Sequence, residues 1–305
     1  EKNYIWNLDS EISEPVIENR EISWDDLNRF ETNISKEKFM EIVEKAKFYV
    51  KEGDIFQVNL SQRFGAEIGK DESIELYRIL RAINPSPFAS LVHINDFKLI
   101  SQSPERLVRL KDGIADTRPI AGTRRLVKGN EVKNEELAME LKNDPKECAE
   151  HVMLVDLERN DIGRVAEFGT VEVDEFMVIE RYSHVMHLVS NVKGVLRKDL
   201  DAFDLLKAMF PGGTITGAPK IRSMEIIEEL EPTRRGFYTG SLGFVGYNGD
   251  MDFNIIIRSF IEKNNKVYFQ VGAGIVYDSI PEREYKETIN KARAMVLAYE
   301  NLKSN

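Results

Sequence analysis

Glu284, Glu287 and Lys291 stand at i, i+3 and i+7 within Val271–Arg293, VGAGIVYDSIPEREYKETINKAR. On a helix this spacing puts two carboxylates and an ammonium on one face. Hard carboxylate oxygens beside a cation suit a divalent metal and a carboxylate-bearing ligand held together. Just upstream, Gly272-Ala273-Gly274 allows backbone to approach a ligand closely. Asp278-Ser279-Ile280-Pro281 reads as the helix start, a capping residue followed by Pro in the first turn. Read alone, the same pattern also fits an acidic helix face turned to water.

Other segments carry reactive types. Glu147, Glu150 and His151 lie near the start of an amphipathic helix over 145–158. His184 and His187 fall at i and i+3 of a strand, hence on opposite faces, so they cannot share one site. PGGTITGAPK lacks phosphate-loop spacing, because Lys220 follows Pro219 rather than Gly. Cys148, the single cysteine, reads as a packing residue, and it excludes an intrachain disulfide and a Cys-rich metal site.

The elements that must position these residues can be taken in order. Residues 1–34 are polar and acidic and read as a linker or the remnant of an N-terminal segment. Ser35 caps a helix whose apolar positions Phe39, Ile42, Val43 and Ala46 keep a helical period, ended by Gly53-Asp54. IFQVNLSQRF alternates as a strand, residues 72–83 form a helix, and Phe88–Ile94 with Phe97–Ser101 form a hairpin. Strand 106–111 leads to a loop from Thr117 to Arg125. Helices are expected over 130–143, 145–158, 201–209 and 219–230, and strands over 170–180 and 184–196. Phe210–Lys220 reads as a loop. Strands 237–247, 251–261 and 266–276 are joined at Asn248-Gly249 and Asn264-Asn265, and helix 281–302 closes the chain. Repeated hairpins with interspersed helices predict an α+β fold with large antiparallel sheets.

The chain has 305 residues, 42% hydrophobic and 31% charged, with net charge −10. That acidity argues against nucleic-acid binding, which needs a basic footprint. No run reaches the ~18 apolar residues of a membrane helix. No signal peptide is visible, and a cytoplasmic protein is expected. The chain starts at Glu1, not Met, which suggests a fragment.

Eight motifs stand in fixed order: GDIFQVNLSQRF, SPERLVR, TRPIAGTRR, DPKECAEHVMLVDLERNDIGR, ERYSHVMHLVSNV, FPGGTITGAPKIRSMEIIEELEPTRRGFYTGSLGF, MDFNIIIRS and GAGIVYDSIPEREYKET. Through them, residues 36–302 resemble the chorismate-utilising enzymes. The resemblance implies a chorismate-binding catalytic domain over 35–305, with antiparallel sheets packed as a sandwich and helices outside. It implies that Glu150 and Glu287 bind Mg²⁺, supported by Glu147 and Glu284. Lys291 and the backbone near Gly272 and Gly274 would help hold the ring carboxylate. Tyr238 and Arg258 would grip the enolpyruvyl carboxylate, for which a guanidinium fork is suited. Glu105 would be the general acid at the departing 4-hydroxyl, His187 an active-site histidine, and Thr214 a substrate-contacting hydroxyl.

The resemblance also bears on the nucleophile. Isochorismate-forming members carry a water-activating lysine where this chain has Gln57, and a glutamine amide is no general base. Ammonia is therefore the expected nucleophile. It would be delivered by a separate glutamine amidotransferase subunit, since no such segment with a cysteine nucleophile is present. At Ala121 many aminodeoxychorismate synthases have a lysine proposed as a covalent nucleophile, whereas anthranilate synthases have Ala. Gly212, Asn59, Asn254 and the FNIIIRS strand look more like the aminodeoxychorismate side. The expected reaction is Mg²⁺-dependent amination to 4-amino-4-deoxychorismate, serving 4-aminobenzoate and folate synthesis. The alternative is an anthranilate synthase component I, releasing anthranilate and pyruvate. Family members have a longer N-terminal portion bearing part of a tryptophan pocket, so control by tryptophan is not expected from this sequence.

Overall fold

The computed structural model describes residues 15–18, 20, 22, 24–181 and 185–304; His184 lies outside them. The chain runs α1 (Trp24–Leu27), β1 (Glu31–Thr32), α2 (Lys36–Glu52), β2 (Gln57–Glu67) and α3 (Ser73–Ile83). Next come β3 (Phe88–Ile94), β4 (Phe97–Ser103), β5 (Arg106–Lys111), β6 (Ile114–Thr117) and β7 (Ile120–Arg125). Helices α4 (Glu131–Asn143) and α5 (Pro145–Gly163) lead to β8 (Glu172–Arg181), β9 (Val185–Val195) and α6 (Ala202–Met209). A 3-10 turn at Gly213–Ile215 precedes β10 (Gly217–Ala218), α7 (Lys220–Leu230), β11 (Gly243–Val245) and β12 (Met251–Asn254). The chain ends with β13 (Ser259–Lys263), β14 (Lys266–Ile275) and α8 (Pro281–Ser304).

Local chemistry sets the helix ends. The Ser35 hydroxyl accepts the Lys38 N–H at 3.2 Å, and Gly53 closes α2 at φ 82°. The Asp144 carboxylate accepts the Lys146 and Glu147 N–H groups, with Pro145 in the first turn of α5. Each cap satisfies backbone groups that the helix itself cannot pair.

Two antiparallel sheets form, as expected for this α+β chain. One has the order β1-β2-β14-β13-β4-β3, with β10 also on β2. The other has the order β11-β12-β5-β6-β9-β7, with β8 also on β9. Strand alternation gives the first sheet two unlike faces. Phe64, Ile100, Phe260, Phe269 and Val271 pack on α3 and α8, and Val58, Leu60, Ala273 and Ile275 pack on α2 and α7. The opposite face carries Gln57, Asn59 and Ser61 beside Gln270, Gly272 and Gly274, where Asn59 pairs with Gly274 and Ser61 with Gly272. Ser259 and Ser101 extend it, hydroxyl to hydroxyl at 2.7 Å. In the second sheet Leu107, Val108 and Val192 bury against Val155 and Ile162 of α5 and Leu205 and Met209 of α6.

The strand expected over 251–261 is two strands in different sheets. β12 pairs with β5, whereas β13 pairs with β4 and β14. The chain crosses between sheets at 255–258, and Arg258 takes a left-handed φ of 53°. A second crossing, from β4 to β5, runs alongside through Pro104-Glu105. The two are stitched by the Ile255 N–H to the Glu105 carbonyl at 3.0 Å and the Ser103 hydroxyl to the Ile255 carbonyl at 2.6 Å. Residues 237–239 are turn and 240–242 irregular rather than strand. The expected loop at 117–125 contains β7, which pairs with β9 through an irregularity between Ala121 and Thr123. Within the segment read as a linker, residues 24–34 join the folded body. Leu27 and Phe30 are buried in the first core, and β1 pairs with β2.

Candidate active site

The two crossings bring Glu105 and Arg258 within electrostatic reach of each other. Burial lowers the proton affinity of Arg258, opposed by Tyr238, Glu105 and Glu287, yet an arginine stays charged. It donates to the Lys291 carbonyl. Among the described residues it makes no salt bridge. Arg258 is half-buried, and a guanidinium partly withdrawn from water without a counter-ion favours an anion that completes it. Glu105 is the opposite case: burial pushes its carboxyl above the usual range, against the Thr214 hydroxyl, Lys291 and Arg258. The Thr214 hydroxyl donates to Glu105 Oε1 at 2.6 Å. A carboxyl whose pKa is raised by burial is better suited to serve as an acid.

Tyr238 is buried, which pushes its phenol up to about 12, so it acts as a neutral hydroxyl. The Arg235 guanidinium lies 5.6 Å from its ring centre and is itself held by Glu231 and by the Asn59 and Ile215 carbonyls. The floor needs glycine. A Cβ on Gly272 would fall 2.3 Å from Asn59 Oδ1 and 2.9 Å from the Tyr238 hydroxyl. One on Gly274 would fall 2.3 Å from Gln57 Nε2. Gln57 is 3% exposed and donates to Glu150 Oε1 at 3.2 Å. Its Oε1 has no hydrogen-bond partner among the described residues.

The four expected metal carboxylates come from the N-terminal turns of α5 and α8. Burial, then the like charges of Glu147 and Glu287, raise Glu150. Burial raises Glu284, opposed by the Ser279 hydroxyl and reinforced by Glu287. Glu147 meets Arg124 at 3.3 Å, and Glu287 pairs with Lys291 at 2.7 Å. The Lys291 ammonium also donates to the Gly272 carbonyl at 2.9 Å. Among the described residues no three His, Cys, Asp or Glu side chains form a ligand group. The carboxylates are electrostatic neighbours, not a formed cage. Their type and mutual repulsion fit a hard divalent cation such as Mg²⁺.

His187 Nδ1 lies 3.1 Å from the Gly122 carbonyl and 3.0 Å from the Thr123 hydroxyl. A carbonyl only accepts, so Nδ1 carries the hydrogen and Nε2 is the basic nitrogen. Burial lowers the pKa of His187, opposed by Gly122, which favours the neutral ring. Gly122, at φ 60°, leaves room for Glu147: a Cβ there would sit 2.9 Å from Glu147 Oε2. Ala121 is buried, pairs with Leu188, and enters none of these polar contacts.

The sequence does not single out Glu158 or Asp161, and offers Lys220 only as a lysine out of phosphate-loop spacing. Asp161 and Lys220 form a buried pair at 2.5 Å, and Glu158 sits beside them with its pKa raised by burial to about 8. The only signal was the carboxylate spacing along α5. A surface cleft of about 430 Å³ between α5 and β8, lined by Val152, Met153, Val173 and Phe176, includes none of the site residues.

Comparison with known proteins places this arrangement. The family profile of chorismate binding enzymes matches residues 6–297. The aminodeoxychorismate synthase component 1 of Bacillus subtilis (strain 168) is 52% identical over 286 residues, 94% of this chain and 60% of that protein. The anthranilate synthase component 1 of Aquifex aeolicus (strain VF5) is 52% identical over 275 residues, 90% of this chain and 55% of that one. The crystal structure of anthranilate synthase component I from Streptococcus pneumoniae TIGR4 superposes with TM-score 0.81 at 47% identity, covering 89% of this chain and 60% of that one. The chain thus spans somewhat over half the length of these relatives.

Proposed function

This chain belongs to the family of chorismate binding enzymes, and from that premise we propose that it aminates chorismate with ammonia to give 4-amino-4-deoxychorismate. The observation that carries the reading is the juxtaposition of Arg258 and Glu105: a half-buried cation lacking a salt bridge among the described residues, near a carboxyl whose pKa burial raises. Such a pair suits a substrate with carboxylates and a hydroxyl to lose. Arg258 and the Tyr238 hydroxyl receive the enolpyruvyl carboxylate. Lys291 and the backbone at Gly272 and Gly274 receive the ring carboxylate. Glu105 gives its proton to the 4-hydroxyl, which departs as water, and Thr214 holds the acid in place. His187, neutral, lines the ring.

Glu150 and Glu287, supported by Glu147 and Glu284, would hold Mg²⁺, which when bound supplies positive charge for the ring carboxylate. Ammonia, delivered by a glutamine amidotransferase subunit, adds directly to the ring, because Ala121 cannot form a covalent lysine adduct. Gln57 cannot activate water. Ala121 also favours a second reading, an anthranilate synthase component I, whose named relatives are equally identical. The test is to follow chorismate with Mg²⁺, with and without ammonium. Consumption dependent on ammonium is expected; isochorismate formed without ammonium at a comparable rate would overturn the proposal.

A further inference from the structure

The loop that carries Thr214 rests tightly on α5. A Cβ on Gly213 would lie 2.1 Å from Leu157 Cδ2 and 3.5 Å from Glu158 Oε1. Glu158 is 5% exposed, and its Oε2 has no hydrogen-bond partner among the described residues. Three ionisable groups face it: Asp161 on α5, Lys220 at the start of α7 and Glu105 on the crossing between the sheets. Lys220 is committed elsewhere, to Asp161 at 2.5 Å and to the Met209 carbonyl at 3.1 Å. A buried carboxyl group therefore abuts the backbone one residue before the hydroxyl that grips Glu105.

We propose that Glu158 is a positioning residue: through the Gly213 backbone it seats the loop that presents the Thr214 hydroxyl to Glu105. The inference rests on Glu105 acting as the acid of the proposed reaction. Burial raises the pKa of Glu158 to about 8, so at pH 7 it abuts Gly213 without setting a full negative charge beside Glu105. Near pH 8 it ionises, and two carboxyl groups in one pocket then oppose each other's charge.

The test compares Glu158→Gln, Glu158→Ala, Thr214→Ala and the double variant Glu158→Ala/Thr214→Ala. One readout needs no reaction: infrared or carbon NMR titration of the Glu105 carboxyl in the free protein, assigned by difference from Glu105→Gln. The Thr214 hydrogen bond lowers the pKa of Glu105. Glu158→Ala should therefore raise it as Thr214→Ala does, and the double variant should go no further. The second readout is chorismate consumption, whatever the product. Glu158→Ala should lower kcat about tenfold while KM moves less than about threefold. The wild type should show an inflection in kcat near pH 8, and Glu158→Gln should keep kcat at pH 7 and lack that inflection. Additive effects, or an unchanged Glu105 titration in Glu158→Ala, would overturn the proposal. If the wild type consumes no chorismate, the functional reading fails and the titration still decides the role of Glu158. Should Glu158→Ala not fold, Glu158→Leu keeps the bulk and takes its place.

Discussion

At the scale of single residues, Arg258 is the group on which the functional reading turns. It is fixed in a left-handed conformation on a crossing strand, donates to the Lys291 carbonyl and makes no salt bridge among the described residues. A lysine would keep the charge and lose the planar fork. Arg258→Lys should raise KM for chorismate by roughly tenfold or more, with circular dichroism unchanged. Unaltered KM and turnover would show that Arg258 does not touch the substrate. The sequence named Arg258, Glu105 and Thr214 only through family resemblance. Nothing in their spacing says that two crossings, 150 residues apart, lie together. Glu158 escaped because a glutamate on an amphipathic helix reads as a solvent residue. Its burial depends on a glycine loop that arrives from far along the chain.

At the scale of elements, legibility followed local chemistry. Ser35, Gly53 and Pro281 mark the ends of helices α2 and α8, so the sequence places both within a residue or two. The hairpin turn at Asn264-Asn265 was likewise readable, and both residues take positive φ. The break at 255–258 was not. Ile255, Ile256 and Ile257 continue a β-branched run, and β-branched character cannot say which sheet a residue will pair with. β14 shows how an element builds a site: one face is core, the other is glycine and amide. Gly274→Ala would put a methyl group 2.3 Å from Gln57 Nε2 and displace the amide from Glu150. Activity should fall at least about tenfold with the melting temperature little changed, since the flexible amide gives way before the backbone does. Full activity would show that Gln57 and Glu150 need not be in contact.

At the scale of the whole molecule, two sheets joined by paired crossings make one framework. Its first core is tied by aromatic rings: Phe269 stacks on Phe64 at 5.1 Å between centroids and meets Phe260 edge-on at 5.4 Å. Phe269→Ala should cost roughly 3–5 kcal/mol of stability, read by denaturant unfolding; a loss under about 1 kcal/mol would mean that the core repacks. Among the described residues no helix is long and apolar enough to cross a membrane. The central claim concerns what this framework does to its ligand. The most direct measurement supplies chorismate, Mg²⁺ and nitrogen-15 ammonium, and reads the labelled product by mass and NMR. The account predicts nitrogen on C4 with the enolpyruvyl group retained, and 4-aminobenzoate on addition of the matching lyase. Anthranilate and pyruvate in equal amounts would contradict it, and would make Ala121 the better guide.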